Sequence, residues 1–127
     1  MKKEVRAEGA PAPIGPYSQG ITASGTFLFV AGQTSKDPVT GVVPQDFPSQ
    51  VEQCLKNVTA IVEKAGASMA DVVKVNAYLA DMANFAVFNE IYSKHFTQPY
   101  PARTTIGAAL PGANLQLEIE VVVALPR

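Results

Sequence analysis

The sequence predicts an α+β domain in which two helices pack on one face of a mixed sheet. Three observations predict it. Short β-rich runs stand near both ends of the chain, two stretches between them carry apolar residues at helical spacing, and a β-branched run, "VVKVNAYLA" at 72–80, separates those stretches. The order is therefore hairpin, helix, strand, helix, hairpin, which puts both helices on the same side of the sheet. At 127 residues and 47% hydrophobic, the chain suits one domain with a sizeable core.

Each element has its own signal. "PAPIGPYSQG" at 11–20 is dense in Pro and Gly and reads as an ordered loop or extended lead-in. "ITASGTFLFVAGQ" at 21–33 gives two apolar runs about Ser24-Gly25, a hairpin pattern, and "SKDPVTGVVP" at 35–44 reads as a turn. Val51, Cys54, Leu55, Val58, Ile61, Val62 and Ala65 then recur at helical spacing, with Gly66 where a C-terminal cap belongs. The helix starts at Asp46 as N-cap, or at a capping box of Ser49 with Glu52. Cys54 lies on the apolar stripe and reads as a core thiol. In the 72–80 strand, Val73, Val75, Ala77 and Leu79 alternate against Val72, Lys74, Asn76 and Tyr78. Asp81 caps a second helix with apolar positions Phe85, Phe88, Ile91, Tyr92 and Phe96; its His95 reads as a solvated helix residue. "ARTTIGAAL", "PGAN" and "LQLEIEVVVAL" then read as strand, turn and strand.

Composition excludes several functions. The formal charge is −1, from 10 basic against 11 acidic residues, and no basic run exceeds Lys2-Lys3, so nucleic acid has no electrostatic footprint. "MKKEVRAEGAP" has no apolar stretch resembling a signal peptide and nothing downstream could span a bilayer, which leads us to expect a cytoplasmic protein without a membrane partner. A single cysteine rules out an internal disulfide, and one histidine standing 41 residues from it argues against a dedicated zinc site. No metal or cofactor is expected.

The final two strands invite a further step. Leu115, Leu117, Ile119, Val121, Val123 and Leu125 form one face of the last strand, and Gln116, Glu118, Glu120, Val122 and Ala124 the other. Aligning the more apolar set of the preceding strand (Thr104, Ile106, Ala108, Leu110) with the core puts Arg103 and Thr105 on the Glu118/Glu120 face. Arg6 and Arg127 are terminal, so Arg103 is the one arginine of the body of the chain. A mixed apolar and charged face opposite the helices, extended by Val72 and Tyr78, suggests that another subunit covers it. Arg103 then makes either a surface salt bridge or an anion site beside a water-holding carboxylate.

"IGPYSQG" at 14–20, "AGQ" at 31–33, "GASMADVVKVNAYLADMANFAVFNEIYSKHF" at 66–96 and "YPARTT", "LPG" and "LEIE" between 100 and 120 resemble the RidA/YjgF family of reactive intermediate deaminases. Older names for it are translation initiation inhibitor and endoribonuclease L-PSP. The resemblance runs in order along nearly the whole chain. It implies a chorismate-mutase-like fold, a homotrimer with a barrel-like core, and sites at the subunit interfaces. It also implies hydrolysis of 2-imino acids such as 2-iminobutanoate and 2-iminopropanoate to 2-keto acids and ammonia, without a metal or cofactor. By motif, Arg103 would grip the substrate carboxylate, Glu118 would position water, and Tyr17 would line and orient the site. Asn89, Thr105, Gly32 and Ala31 would complete the binding surface.

The residue types suit that chemistry. A guanidinium offers a planar fork to a carboxylate but cannot act as acid or base near neutrality. A protonated imine is already electrophilic, so an oriented water and a carboxylate to take its proton suffice. Two positions depart from the family pattern: Ala31 stands where a serine is common, and Thr105 where the best-known members have cysteine. The other classes the sequence leaves open are an RNA-acting protein, which its charge disfavours, and a non-catalytic trimer that binds small acids.

Overall fold

A computed structural model describes residues 2–126; Met1 and Arg127 lie outside them. The strands are β1 (Lys2–Val5), β2 (Gly20–Ala23), β3 (Phe27–Gln33), β4 (Val72–Leu79), β5 (Ala102–Gly107) and β6 (Leu117–Ala124), and the helices α1 (Phe47–Lys64) and α2 (Phe85–Tyr92). The main sheet runs β3-β6-β4-β5, and β1 with β2 forms a separate two-stranded ribbon. Of the main-sheet pairs, only β4–β5 is parallel. The α+β class with a mixed sheet is as the sequence predicts.

Both predicted hairpins are overturned. β2 pairs with β1, not with β3 across Ser24-Gly25, although Gly25 does turn the chain at φ +109°. β5 and β6 are not neighbours, because β6 lies between β3 and β4 while β5 takes the outer edge of β4. The cause lies in β6 itself: Leu117, Ile119 and Val123 are wholly buried, so this strand needs a partner along each edge, and β3 and β4 supply both.

Helix α1 packs its stripe of Val51, Cys54, Leu55, Val58 and Val62 on the core face of the sheet. The rival start signals resolve to Asp46, whose carboxylate accepts from the Ser49 N–H at 2.9 Å, with Pro48 in the first turn. Gly66 ends the helix at φ +85°. Asp81 caps a short 3₁₀ turn, Met82–Asn84, from which α2 continues, so the second helix is shorter than its apolar pattern suggests. His95 stands beyond α2 and is not simply solvated: its Nε2 lies 2.7 Å from Glu52 Oε1 of α1.

A bulge between Val72 and Lys74 shifts the start of β4 by one residue. Val72 therefore joins the core instead of extending the Tyr78 face, as its alternation had suggested. Gln50 is a buried polar residue that the apolar pattern of α1 does not reveal. Its Oε1 accepts from the Ser35 hydroxyl and the Gln116 N–H, and its Nε2 donates to the carbonyls of Pro44 and Asn114. With all four bonds made, it costs little to bury and fixes the lead-in to β6.

Cys54 is fully buried and its thiol donates to the Gln33 carbonyl at 3.2 Å. Burial pushes the thiol up to about 12. It should therefore resist thiol reagents at pH 8 in the folded protein and react at once in denaturant. Cys54→Ala should lower stability by about 1–2 kcal/mol in denaturant titration, the cost of a small cavity. Rapid labelling of the native state would show that the thiol is exposed.

Candidate active site

The register places Arg103 unexpectedly. Val30, Val121, Val75 and Arg103 form one row across the sheet, and Ile119, Ala77 and Thr105 form the next. Paired residues share a face, so Arg103 and Thr105 point to the core side. Tyr78 pairs with both Glu118 and Ile106, and Asn76 with both Glu120 and Thr104, so those residues occupy the opposite face. The expectation that Arg103 and Thr105 share a face with Glu118 and Glu120 is thus corrected. It came from aligning β5 with β6 as a hairpin, whereas β4 stands between them.

An arginine can end a row of valines here because aromatic rings receive it. Its guanidinium carbon lies 4.8 Å from the ring centre of Tyr92, 5.5 Å from Phe88, 5.6 Å from Tyr17 and 5.8 Å from Phe85. Each ring offers a negative π face, and a guanidinium is weakly hydrated enough to accept such surroundings. Burial still lowers its pKa, with Tyr92 and Tyr17 opposing the shift; an arginine nevertheless stays charged at neutral pH. Among the described residues the salt bridges join Arg6 to Glu4 and His95 to Glu52, so no carboxylate of the chain pairs with Arg103. The surface salt bridge is not what the fold builds.

The Pro-rich loop completes this chamber. Ser18 is buried, its N–H bonds the Pro101 carbonyl at 3.1 Å, and its hydroxyl donates to the Tyr100 carbonyl. That bridge beside the start of β5 pins the loop and seats Tyr17 against Arg103. Asn89 of α2 comes to the same place: a Cβ on Gly15 would meet Asn89 Nδ2 and the Tyr17 ring, both at 3.6 Å. The buried side-chain atoms left without a hydrogen-bond partner are Asn89 Oδ1, Tyr92 Oη, Arg103 Nη1 and Thr105 Oγ1. All four belong to residues around this chamber. Unsatisfied buried polar atoms are rare enough in native proteins that their gathering calls for a ligand.

Ala31, Gly32 and Glu118 form a second group elsewhere. β3 bulges between Val30 and Gln33, and Gly32 at the bulge lies against the Glu118 carboxylate, where any Cβ would collide with it. Glycine is needed for this close approach. Glu120, by contrast, is tied within the sheet, accepting from Asn76 at 2.9 Å and Tyr78 at 3.1 Å. Among the described residues no side-chain donor is bonded to Glu118, which leaves it the freer carboxylate of the pair.

So the predicted residues separate into Arg103, Thr105, Tyr17 and Asn89 in the chamber, and Glu118, Gly32 and Ala31 on the far face. Sequence reasoning missed Phe85, Phe88 and Tyr92 as walls, since their helical spacing marks them only as core. It also missed Ser18, whose signal was a hydroxyl directly after Tyr17 in the Pro-rich loop. Among the described residues no three His, Cys, Asp or Glu side chains gather to hold a metal, and no helix is long and apolar enough to cross a membrane.

Comparison with known proteins bears on this geometry. A family profile described as Endoribonuclease L-PSP matches residues 7–125. A RutC family protein of Pyrococcus horikoshii is 46% identical over 123 residues, covering 96% of this chain and 97% of that one. A protein of Salmonella typhimurium named 2-iminobutanoate/2-iminopropanoate deaminase is 39% identical over 125 residues, again 96% and 97% of the two chains. Among solved structures, Escherichia coli TdcF with bound serine superposes with a TM-score of 0.74 at 36% identity, covering 98% of this chain and 99% of that one.

Proposed function

The chain belongs to the endoribonuclease L-PSP family, known also as RidA/YjgF, and on that premise we propose that it hydrolyses small 2-imino acids to 2-keto acids and ammonia. The observation that carries the reading is Arg103, a buried cation held by four rings and paired with no carboxylate of its own chain. Such a group is matched to an anion from outside. The similar TdcF structure holds serine, which is itself a small carboxylate.

A small 2-imino acid offers a carboxylate to Arg103 and an electrophilic C2 next to it. Water attacks C2 and Glu118 takes its proton, giving a carbinolamine. That proton passes to nitrogen, the C–N bond breaks, and ammonia leaves as the carbonyl forms. Arg103 holds and orients throughout, and Tyr17 with Asn89 closes the chamber around the substrate. A general base positioned in this way contributes about 10²–10⁴-fold.

The two groups stand on opposite faces of one sheet, two strand spacings or about 10 Å apart across it. They cannot meet on one substrate within a chain. The site therefore forms between chains, Arg103 coming from one and Glu118 from its neighbour, in a cyclic homotrimer. The far face supports this: Phe29 is 75% exposed, Ile106 48% and Phe27 37%, alongside Val122. Solvent-facing aromatics in such a patch mark a protein contact.

The direct test generates 2-iminobutanoate in situ from the amino acid with an oxidase and follows 2-oxobutanoate release. The protein should raise that rate well above spontaneous hydrolysis; equal rates at high protein concentration would end the reading. Assembly is checked separately. Light scattering should find three chains in the wild type and single folded chains for Phe29→Asp, because a buried unpaired carboxylate opposes association. A wild type that stays a single chain at micromolar concentration would remove the shared site.

A further inference from the structure

Tyr92 is the one hydroxyl-bearing ring on a stripe otherwise made of Phe85, Phe88, Ile91 and Phe96. It is fully buried, with its ring centre 5.4 Å from Phe88 and 4.4 Å from Phe96, so for packing alone phenylalanine would serve. Its Oη is closed to solvent and has no partner. An orphaned phenol in a core is a standing cost that phenylalanine would avoid. The same ring is the closest of the four to Arg103, at 4.8 Å from the guanidinium carbon. Burial raises the phenol's pKa, which keeps it a donor at any pH where the protein folds.

We propose that Tyr92 reads the substrate carboxylate together with Arg103, its hydroxyl donating to the carboxylate seated on the guanidinium. This rests on the reading of Arg103 given above. A carboxylate has about four acceptor positions and an arginine fork fills two, so a neutral donor beside the fork satisfies a third. The arrangement selects a planar carboxylate over a single-point anion such as chloride. Because Tyr92 Oη and Arg103 Nη1 are both covered in the free chain, the ligand parts the rings to reach them, and the hydrogen bonds it makes offset that opening.

The competing account makes the hydroxyl a packing residue. The test compares wild type, Tyr92→Phe and Arg103→Ala in calorimetric binding of 2-oxobutanoate, in imine hydrolysis and in thermal unfolding. Tyr92→Phe should bind about tenfold more weakly or worse and raise KM to match. Its kcat should change little, and its unfolding temperature should hold or rise. If Tyr92→Phe binds as the wild type does while Arg103→Ala does not, the role of Tyr92 is overturned and the arginine clamp stands. If wild type and Arg103→Ala bind alike, the clamp fails and Tyr92 with it. Weaker binding accompanied by a lowered unfolding temperature would make the hydroxyl structural, and would overturn the proposal too.

Discussion

Arg103→Ala will lose ~100-fold or more of kcat/KM for a small 2-imino acid while remaining folded. Each hydrogen bond to a charged group contributes about 1.5–3 kcal/mol, and the fork makes two. Arg103→Lys should also be impaired, because an ammonium restores the charge without the planar pair of donors. Stability should change little. The guanidinium is partly desolvated without a carboxylate to repay it, so its removal relieves a cost as it opens a gap among the rings. Thermal unfolding and imine loss followed on one preparation decide the matter. Near wild-type turnover at low substrate would leave Arg103 a packing residue and nothing more.

Glu118→Gln should lower kcat by about 10²–10⁴-fold, with KM less affected, because glutamine keeps the shape that lies against Gly32 but cannot take a proton. A sharper result follows from mixing. Arg103→Ala and Glu118→Gln chains, each nearly inactive alone, should regain activity when unfolded and reassembled together. Where a Glu118→Gln chain lends its arginine to a neighbour that lends its glutamate, the boundary is wild type. Random assembly makes about a quarter of the boundaries so. No recovery from a mixture that reassembles would place both residues in one chain and break the two-chain site.

The sequence marked most elements because a helix stripe and a strand alternation are local properties. Asp46, Gly66 and the α1 stripe stand where those signals put them. Pairing is another matter. Alternation says which β6 residues face the core, and it was right for Leu117, Ile119, Val121 and Val123, but it is silent on which strand lies alongside. Adjacency in the chain suggested β5, and that single choice turned Arg103 to the wrong face. The reverse assignment looked unfavourable because it buries an arginine and exposes Ile106. Both costs are met by partners no local pattern contains: four rings drawn from the Tyr17 loop and α2 for the arginine, and a neighbouring chain, as proposed, for the isoleucine. Gly32 escaped in the same way, since only its contact with Glu118 explains why the bulge needs it.

The strand that occupies the middle of the sheet is the last of its strands to be synthesised. Until residues 117–124 have left the ribosome, β3 has no partner in the main sheet and β4 has only β5. The chain thus spends most of its synthesis holding two open strand edges that β6 alone can close, a state that invites pairing with other nascent copies. The domain cannot be assembled piece by piece from its beginning. It closes late and in one event, when a single buried strand slides between two that have waited for it.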